Sequence, residues 1–227
     1  MLAQVPGNGA TQPEHICRSC VAALGVSGAG IAMVTDEGNR GVVCATNEAS
    51  ARIEELQFVL GEGPCIDAAV AGGPVLIPDL DHAAGVDPTR WPMFRDASRA
   101  AGVRAVFAFP LRIGAITVGV LDLYRDVPGD LDDDALAMAL LAADTAAVAL
   151  LELDVSSGAV FDGDDGARST YRLEVHQATG IVQVQLGVSA EVALVMLRAR
   201  AFASGRPVGE VARDVVAHRL RFKREDG

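Results

Sequence analysis

Every run in this chain that reads as a β-strand lies before residue 125, and from residue 131 onward the apolar residues recur only at helical spacing. That division points to a sheet-bearing module followed by helices that pack among themselves, and 227 residues are enough for both. Half of the residues are apolar, yet there are only one Trp, two Tyr and seven Phe, so Ala, Val and Leu must fill the cores.

Residues 13–24 read as a helix. Two β-type runs, 27–35 and 41–46, flank a turn at 36–39. Residues 49–60 have helical spacing, with Ile53, Leu56, Val59 and Leu60 on one side. That helix stops at Gly61-Glu-Gly-Pro64, and a second short helix, 65–71, leads through Gly72-Gly-Pro74 into a strand at 75–77. A helix at 92–101 precedes a hairpin with arms 103–111 and 115–124. The pattern is α+β: an antiparallel sheet with helices packed on its faces.

Residues 131–154 form one long helix in which Leu136, Leu140, Ala143, Ala147 and Leu150 step by four and three, a heptad seam. The seam predicts a homodimer; the competing expectation is that the same stripe packs onto the module's own sheet. The helix is long enough to test as a membrane span, but Asp144 at its centre and its acidic flank argue against one. Residues 156–166, SSGAVFDGDDG, read as an acidic linker. Three amphipathic helices follow: 170–186, a second capped by Ser189, and a third opened by Pro207. The expected organisation is a flexible start (1–12), a first module (13–155), the linker, a three-helix bundle (167–222) and a short tail (223–227).

The net charge of −11 hides an asymmetry: the balance is −15 up to Gly166 and +4 from Ala167 onward. An acidic block followed by a basic one points to modules with different partners, the second able to face phosphates. The single Lys, Lys223, removes P-loop and Schiff-base chemistry. Cys17-Arg-Ser-Cys20 is half of a zinc pattern, with Cys44 and Cys65 isolated, so buried structural thiols are the better reading and no metal is expected. No Ser elbow supports nucleophilic catalysis, and the first residues lack the basic and apolar regions of a signal peptide, so the expected location is the cytoplasm.

Leu60-Gly-Glu-Gly-Pro-Cys65, Gly73-Pro-Val-Leu-Ile-Pro-Asp-Leu80, Phe109-Pro-Leu111 and Val118-Gly-Val-Leu-Asp-Leu-Tyr124 together resemble a GAF domain. The last block resembles an ANTAR domain through Gln177-Ala-Thr-Gly-Ile181, Gly187-Val-Ser-Ala-Glu-Val-Ala193, Leu197-Arg198, Val211-Ala212 and Val215-Val216. Position 179 departs from the pattern, which often has Lys there. The resemblance implies a non-enzymatic regulator that binds hairpins in leader RNA and acts on RNA polymerase only indirectly, through terminator formation. It also implies a sensory first module that dimerises and takes a small molecule or protein. Its pocket would lie between the sheet and residues 49–71, lined by Leu60, Cys65, Phe107 and Phe109. The residues identify no cofactor, and haem lacks an axial ligand there.

The RNA surface expected on the bundle comprises Arg172, His176, Gln177 and Thr179 on the first helix, Arg198 on the second, and Arg206 and Arg213 around the third. Two alternatives stand beside this. One is a Cys-dependent redox enzyme with Cys65 as nucleophile and Cys44 as resolving thiol, which needs a low-pKa thiolate. The other is a protein-binding adaptor without RNA. Asp162, Asp164 and Asp165 of the linker could also compete with RNA for the basic bundle.

Overall fold

The computed structural model describes residues 11–35, 38–81, 90–157, 166–204, 206 and 208–223. The chain divides into two compact units, residues 1–160 and 161–227.

The first unit opens with α1 (Gln12–Ala23), whose capping box includes a Glu14 carboxylate accepting from the Thr11 amide at 3.0 Å. Five antiparallel strands follow in chain order: β1 (Gly28–Thr35), β2 (Gly38–Ala45), β3 (Val75–Ile77), β4 (Ala105–Ile113) and β5 (Ile116–Arg125). They are arranged β2-β1-β5-β4-β3. Between β2 and β3 lie α2 (Glu48–Leu60) and α3 (Pro64–Ala71), and α4 (Pro92–Ala100) precedes β4. Asn47 caps α2 by accepting from the Ser50 amide at 2.8 Å. The long helix α5 (Asp133–Ser157) closes the unit. The expected α+β class is the observed one. The first β-turn is shorter than the sequence indicated, because Gly38 and Asn39 already belong to β2.

Strand alternation divides the core into two layers. On one face Ala29, Ile31, Phe107, Phe109, Leu111, Leu121 and Leu123 meet α1 and α5. On the other, Ala32, Val106, Ala108, Val120 and Tyr124 meet α2, α3 and α4. Gly119 permits the closest approach on β5: a Cβ there would stand 2.6 Å from the Ala32 carbonyl oxygen and 2.8 Å from Leu150 Cδ1.

Helix α5 is the one helix, among the described residues, long and apolar enough by length and composition to cross a membrane. Its Ala139, Ala143, Ala146, Ala147 and Leu150 are buried in the unit's own core, as in a core helix.

The second unit is α6 (Gly166–Leu186), α7 (Ala190–Ala203) and α8 (Val208–Val216). Val175, Ala178, Val182 and Leu186 of α6 are buried with Ala193, Leu197 and Ala201 of α7 and with Val208, Val211, Ala212 and Val215 of α8. The Ser189 hydroxyl accepts from the Val192 amide at 3.3 Å as the cap of α7. Helix α5 runs through Ser156 and Ser157, and α6 begins at Gly166, so the linker is shorter than the expected 156–166. Asp162, Asp164 and Asp165 lie outside the described residues.

Candidate functional sites

The layer between α2, α3 and the sheet contains a buried polar cluster where the expected pocket would be. In the sheet register Asp122 of β5 lies between Gly30 of β1 and Ala108 of β4, two small neighbours that leave room above it. Glu54 enters that space from α2: a Cβ on Gly30 would stand 2.4 Å from Glu54 Oε1. The Tyr124 hydroxyl donates to Glu54 Oε1 at 2.7 Å, and Gln57 Nε2 donates to Asp122 Oδ2 at 3.1 Å. The Gln57 carbonyl oxygen in turn accepts from the Cys65 amide at 2.8 Å, clipping the first turn of α3 to α2.

Glu54, Gln57, Cys65 and Asp122 are fully buried. Burial raises the Asp122 pKa to about 6, partly opposed by its hydrogen bonds. Burial, with the Asp122 charge next in size, drives Glu54 well above the ordinary carboxylate range. Burial also pushes the Cys65 thiol well above its ordinary value.

The four expected lining residues do not meet. Phe107 and Phe109 face α1 and α5, whereas Cys65 packs on the opposite sheet face with Ala32, Ala108 and Val120. Leu60 joins the neighbouring group around Ile53, Trp91 and Phe94. The expectation placed odd-numbered residues of β4 on the α2–α3 side, but the period-two alternation sends even-numbered ones there. Sequence reasoning missed Glu54 and Gln57, which occupy the buried stripe of α2 with Ser50, Ile53 and Phe58. It also missed Asp122, an acid inside an otherwise apolar strand. Both interruptions of pattern were readable signals.

The redox arrangement is not present. Cys44 belongs to the α1–α5 face, where its sulfur lies 3.3 Å from that of Cys17, and Cys65 lies on the other face. A thiol whose pKa is raised by burial is the opposite of the low-pKa nucleophile that such chemistry needs.

The heptad stripe is also corrected. Ala143, Ala147 and Leu150 are buried in the unit's own core and Leu136 packs beside them, leaving only Leu140 of the five exposed, at 44%. The stripe that sequence spacing offered as a dimer seam is the core-facing side of α5. Because the helix is apolar on more than one side, a second row remains outside: Met138, Leu141 (67% exposed) and Val148 (53%), with Thr145 between them. This row steps by three, four and three.

In the second unit, His176 and Gln177 are exposed on α6. Thr179 is buried, and its hydroxyl donates to the Val175 carbonyl at 2.8 Å, so it faces inward. Arg172 lies on α6 outside the residues whose side chains are described. Arg198 is half-buried, and desolvation lowers its pKa. Arg206 pairs with Asp214 at 2.8 Å and Glu210 at 3.4 Å, and Arg213 pairs with Glu174 at 3.2 Å. The arginines are the more exposed partners, at 41% and 54% against 21% for Asp214 and 17% for Glu174. Gln177, Gly180, Ile181, Val184, Gln185 and Val216 line a shallow, largely apolar groove.

Comparison with known proteins gives two family matches: a GAF domain model over residues 14–151 and an ANTAR domain model over residues 167–216. No curated protein matches the chain. Among solved structures, the cyanobacteriochrome TePixJ GAF domain is 18% identical, with 68% of this chain and 99% of that one covered at a TM-score of 0.49. A type II free methionine-R-sulfoxide reductase from Thermoplasma acidophilum is 17% identical, covering 62% and 90% at 0.47. The GAF domain of a phosphoenolpyruvate-protein phosphotransferase from Coxiella burnetii is 12% identical, covering 65% and 84% at 0.48.

Proposed function

Because the chain belongs to the GAF domain family and carries an ANTAR domain behind it, we propose that it is a transcription antitermination regulator that binds paired hairpins in leader RNA. A sensory module coupled to an RNA-binding output follows from the two domains in this order. The single observation that carries the proposal is that the ANTAR match falls within a separate compact unit, on residues 167–216 with six Arg against four acids, while the GAF match falls on the acidic unit.

In this reading the first module receives a small molecule or protein and pairs with a second copy through the outer row of α5, centred on Leu141 and Val148. The bundle meets RNA through His176 and Gln177 of α6, with Arg198, Arg206 and Arg213 supplying charge and Arg172 extending the surface. Splayed loop bases suit such Arg and amide groups better than a duplex groove does. RNA phosphates take the place of Glu174, Glu210 and Asp214 as partners of the arginines. The protein does no chemistry on its target, works in the cytoplasm and affects RNA polymerase only through the terminator.

The test is filter binding of the full chain to a two-hairpin leader RNA over a range of salt. The logarithm of the affinity should fall by about 0.7–0.9 per phosphate contact per decade of salt. Combined Arg198→Ala, Arg206→Ala and Arg213→Ala replacement should weaken binding and flatten that slope. Tight but salt-insensitive association with a protein partner, and none with RNA, would favour an adaptor instead.

A further inference from the structure

Two carboxylates and a thiol converge in the closed layer between α2, α3 and β5: the ligand atoms of Glu54, Asp122 and Cys65 lie within 4.8 Å of one another. The Tyr124 hydroxyl donates to Glu54 Oε1 and the Gln57 amide donates to Asp122 Oδ2. The second oxygens, Glu54 Oε2 and Asp122 Oδ1, are buried without a hydrogen-bond partner. Two fully buried acids with orphaned oxygens are strongly unfavourable unless something positive joins them. A shared proton would join the two oxygens, with the Cys65 thiol beside them donating to Asp122. A divalent cation would satisfy all three groups.

We propose that Glu54 Oε2, Asp122 Oδ1 and Cys65 Sγ form a binding site for a thiolate-accepting divalent cation of the zinc class. One sulfur with two carboxylate oxygens is a borderline donor set, which selects zinc or a similar first-row ion over magnesium or calcium. The anchoring bonds from Tyr124 and Gln57 are what an outer shell of ligand-orienting groups looks like, and the Gln57 clip on the Cys65 amide fixes the third donor. Metal–ligand bonds of about 2.0–2.3 Å bring donor atoms to about 3.5 Å from each other, inside the 4.8 Å limit within which these three already lie. On binding, Cys65 loses its S–H proton and any proton shared by the carboxylates is released, so affinity rises with pH.

The full chain, treated with chelator and titrated with Co²⁺, should bind one ion and show a sulfur-to-cobalt charge-transfer band. Cys65→Ala should abolish the band and reduce affinity at least about tenfold, the scale of losing a site-organising group. If that variant does not fold, X-ray absorption on the zinc-loaded natural chain decides: one sulfur scatterer among oxygens supports the site. Two or more sulfurs would place the ion at Cys17, Cys20 and Cys44 and overturn the assignment. A folded chain that takes up neither ion would equally overturn it and leave a proton shared between Glu54 and Asp122.

Discussion

The Tyr124 hydroxyl donates to Glu54 Oε1 at 2.7 Å, joining the C-terminal end of β5 to the middle of α2 inside a buried layer. The bond exists because Gly30, opposite Asp122 on β1, has no side chain: a Cβ there would stand 2.4 Å from that same oxygen. A helix that could have packed on the sheet through apolar residues alone instead brings an acid against another acid.

In chelator-treated protein, Glu54→Gln should stabilise the first unit near neutral pH. A glutamine retains the acceptor for Tyr124 and can donate to the orphaned Asp122 oxygen. Both carboxyls have pKa values raised above their unfolded values, Asp122 to about 6. Their contribution is therefore fully present below about pH 4 and lost as pH rises through the folded pKa values. The stability difference between Glu54→Gln and the natural chain should widen in favour of glutamine as pH rises from 5 to 8. Urea unfolding at several pH values measures it.

Two glycines should respond with opposite sign. Gly119→Ala places a methyl group against the Ala32 carbonyl oxygen and Leu150, where backbone cannot yield, and should cost about 1–3 kcal/mol. Gly180→Ala meets nothing within 4 Å inside α6 and should stabilise the bundle by about 1 kcal/mol through helix propensity. Thermal unfolding distinguishes the two.

The two sides of α5 should separate under charge. Leu141→Glu with Val148→Glu changes exposed positions and should give a folded monomer by light scattering and circular dichroism. Leu150→Glu places a carboxylate in the core and should unfold the module, costing several kcal/mol. A folded, dimeric Leu141→Glu/Val148→Glu chain would remove this face from the interface.

Much of the architecture could be read from residue patterns. Period-two runs and helical stripes located every described strand and helix to within a few residues, since burial of one face is what those patterns encode. What could not be read was which face met which partner. On α5 the Ala-rich surface offers two apolar rows, and spacing cannot say which one the sheet takes. On β4 the apolar run is continuous and both faces are buried, so its phase relative to α2 is set by tertiary packing, which is why Phe107 and Phe109 fell on the wrong side. The Glu54–Asp122 pairing joins residues far apart in sequence, and only the β1–β5 register reveals it. Arg206 and Arg213 were legible as surface cations, whereas their acidic partners depend on how the bundle closes.

Glu174→Gln should strengthen RNA binding a few-fold at low salt, because it releases Arg213 from the ion pair at 3.2 Å. Stability should change little, because Gln keeps the size of the side chain and Arg213 is exposed. Filter binding beside thermal unfolding reads both quantities. Unchanged affinity would place Arg213 outside the RNA surface.

The most direct test of the whole account is single-round transcription in vitro through a two-hairpin leader and its terminator, with and without the full chain. Antitermination predicts that added protein raises full-length read-through, and that combined Arg198→Ala, Arg206→Ala and Arg213→Ala replacement removes the increase while the three-helix bundle stays folded. Read-through that is indifferent to the protein, on a leader RNA that it demonstrably binds, would contradict the account.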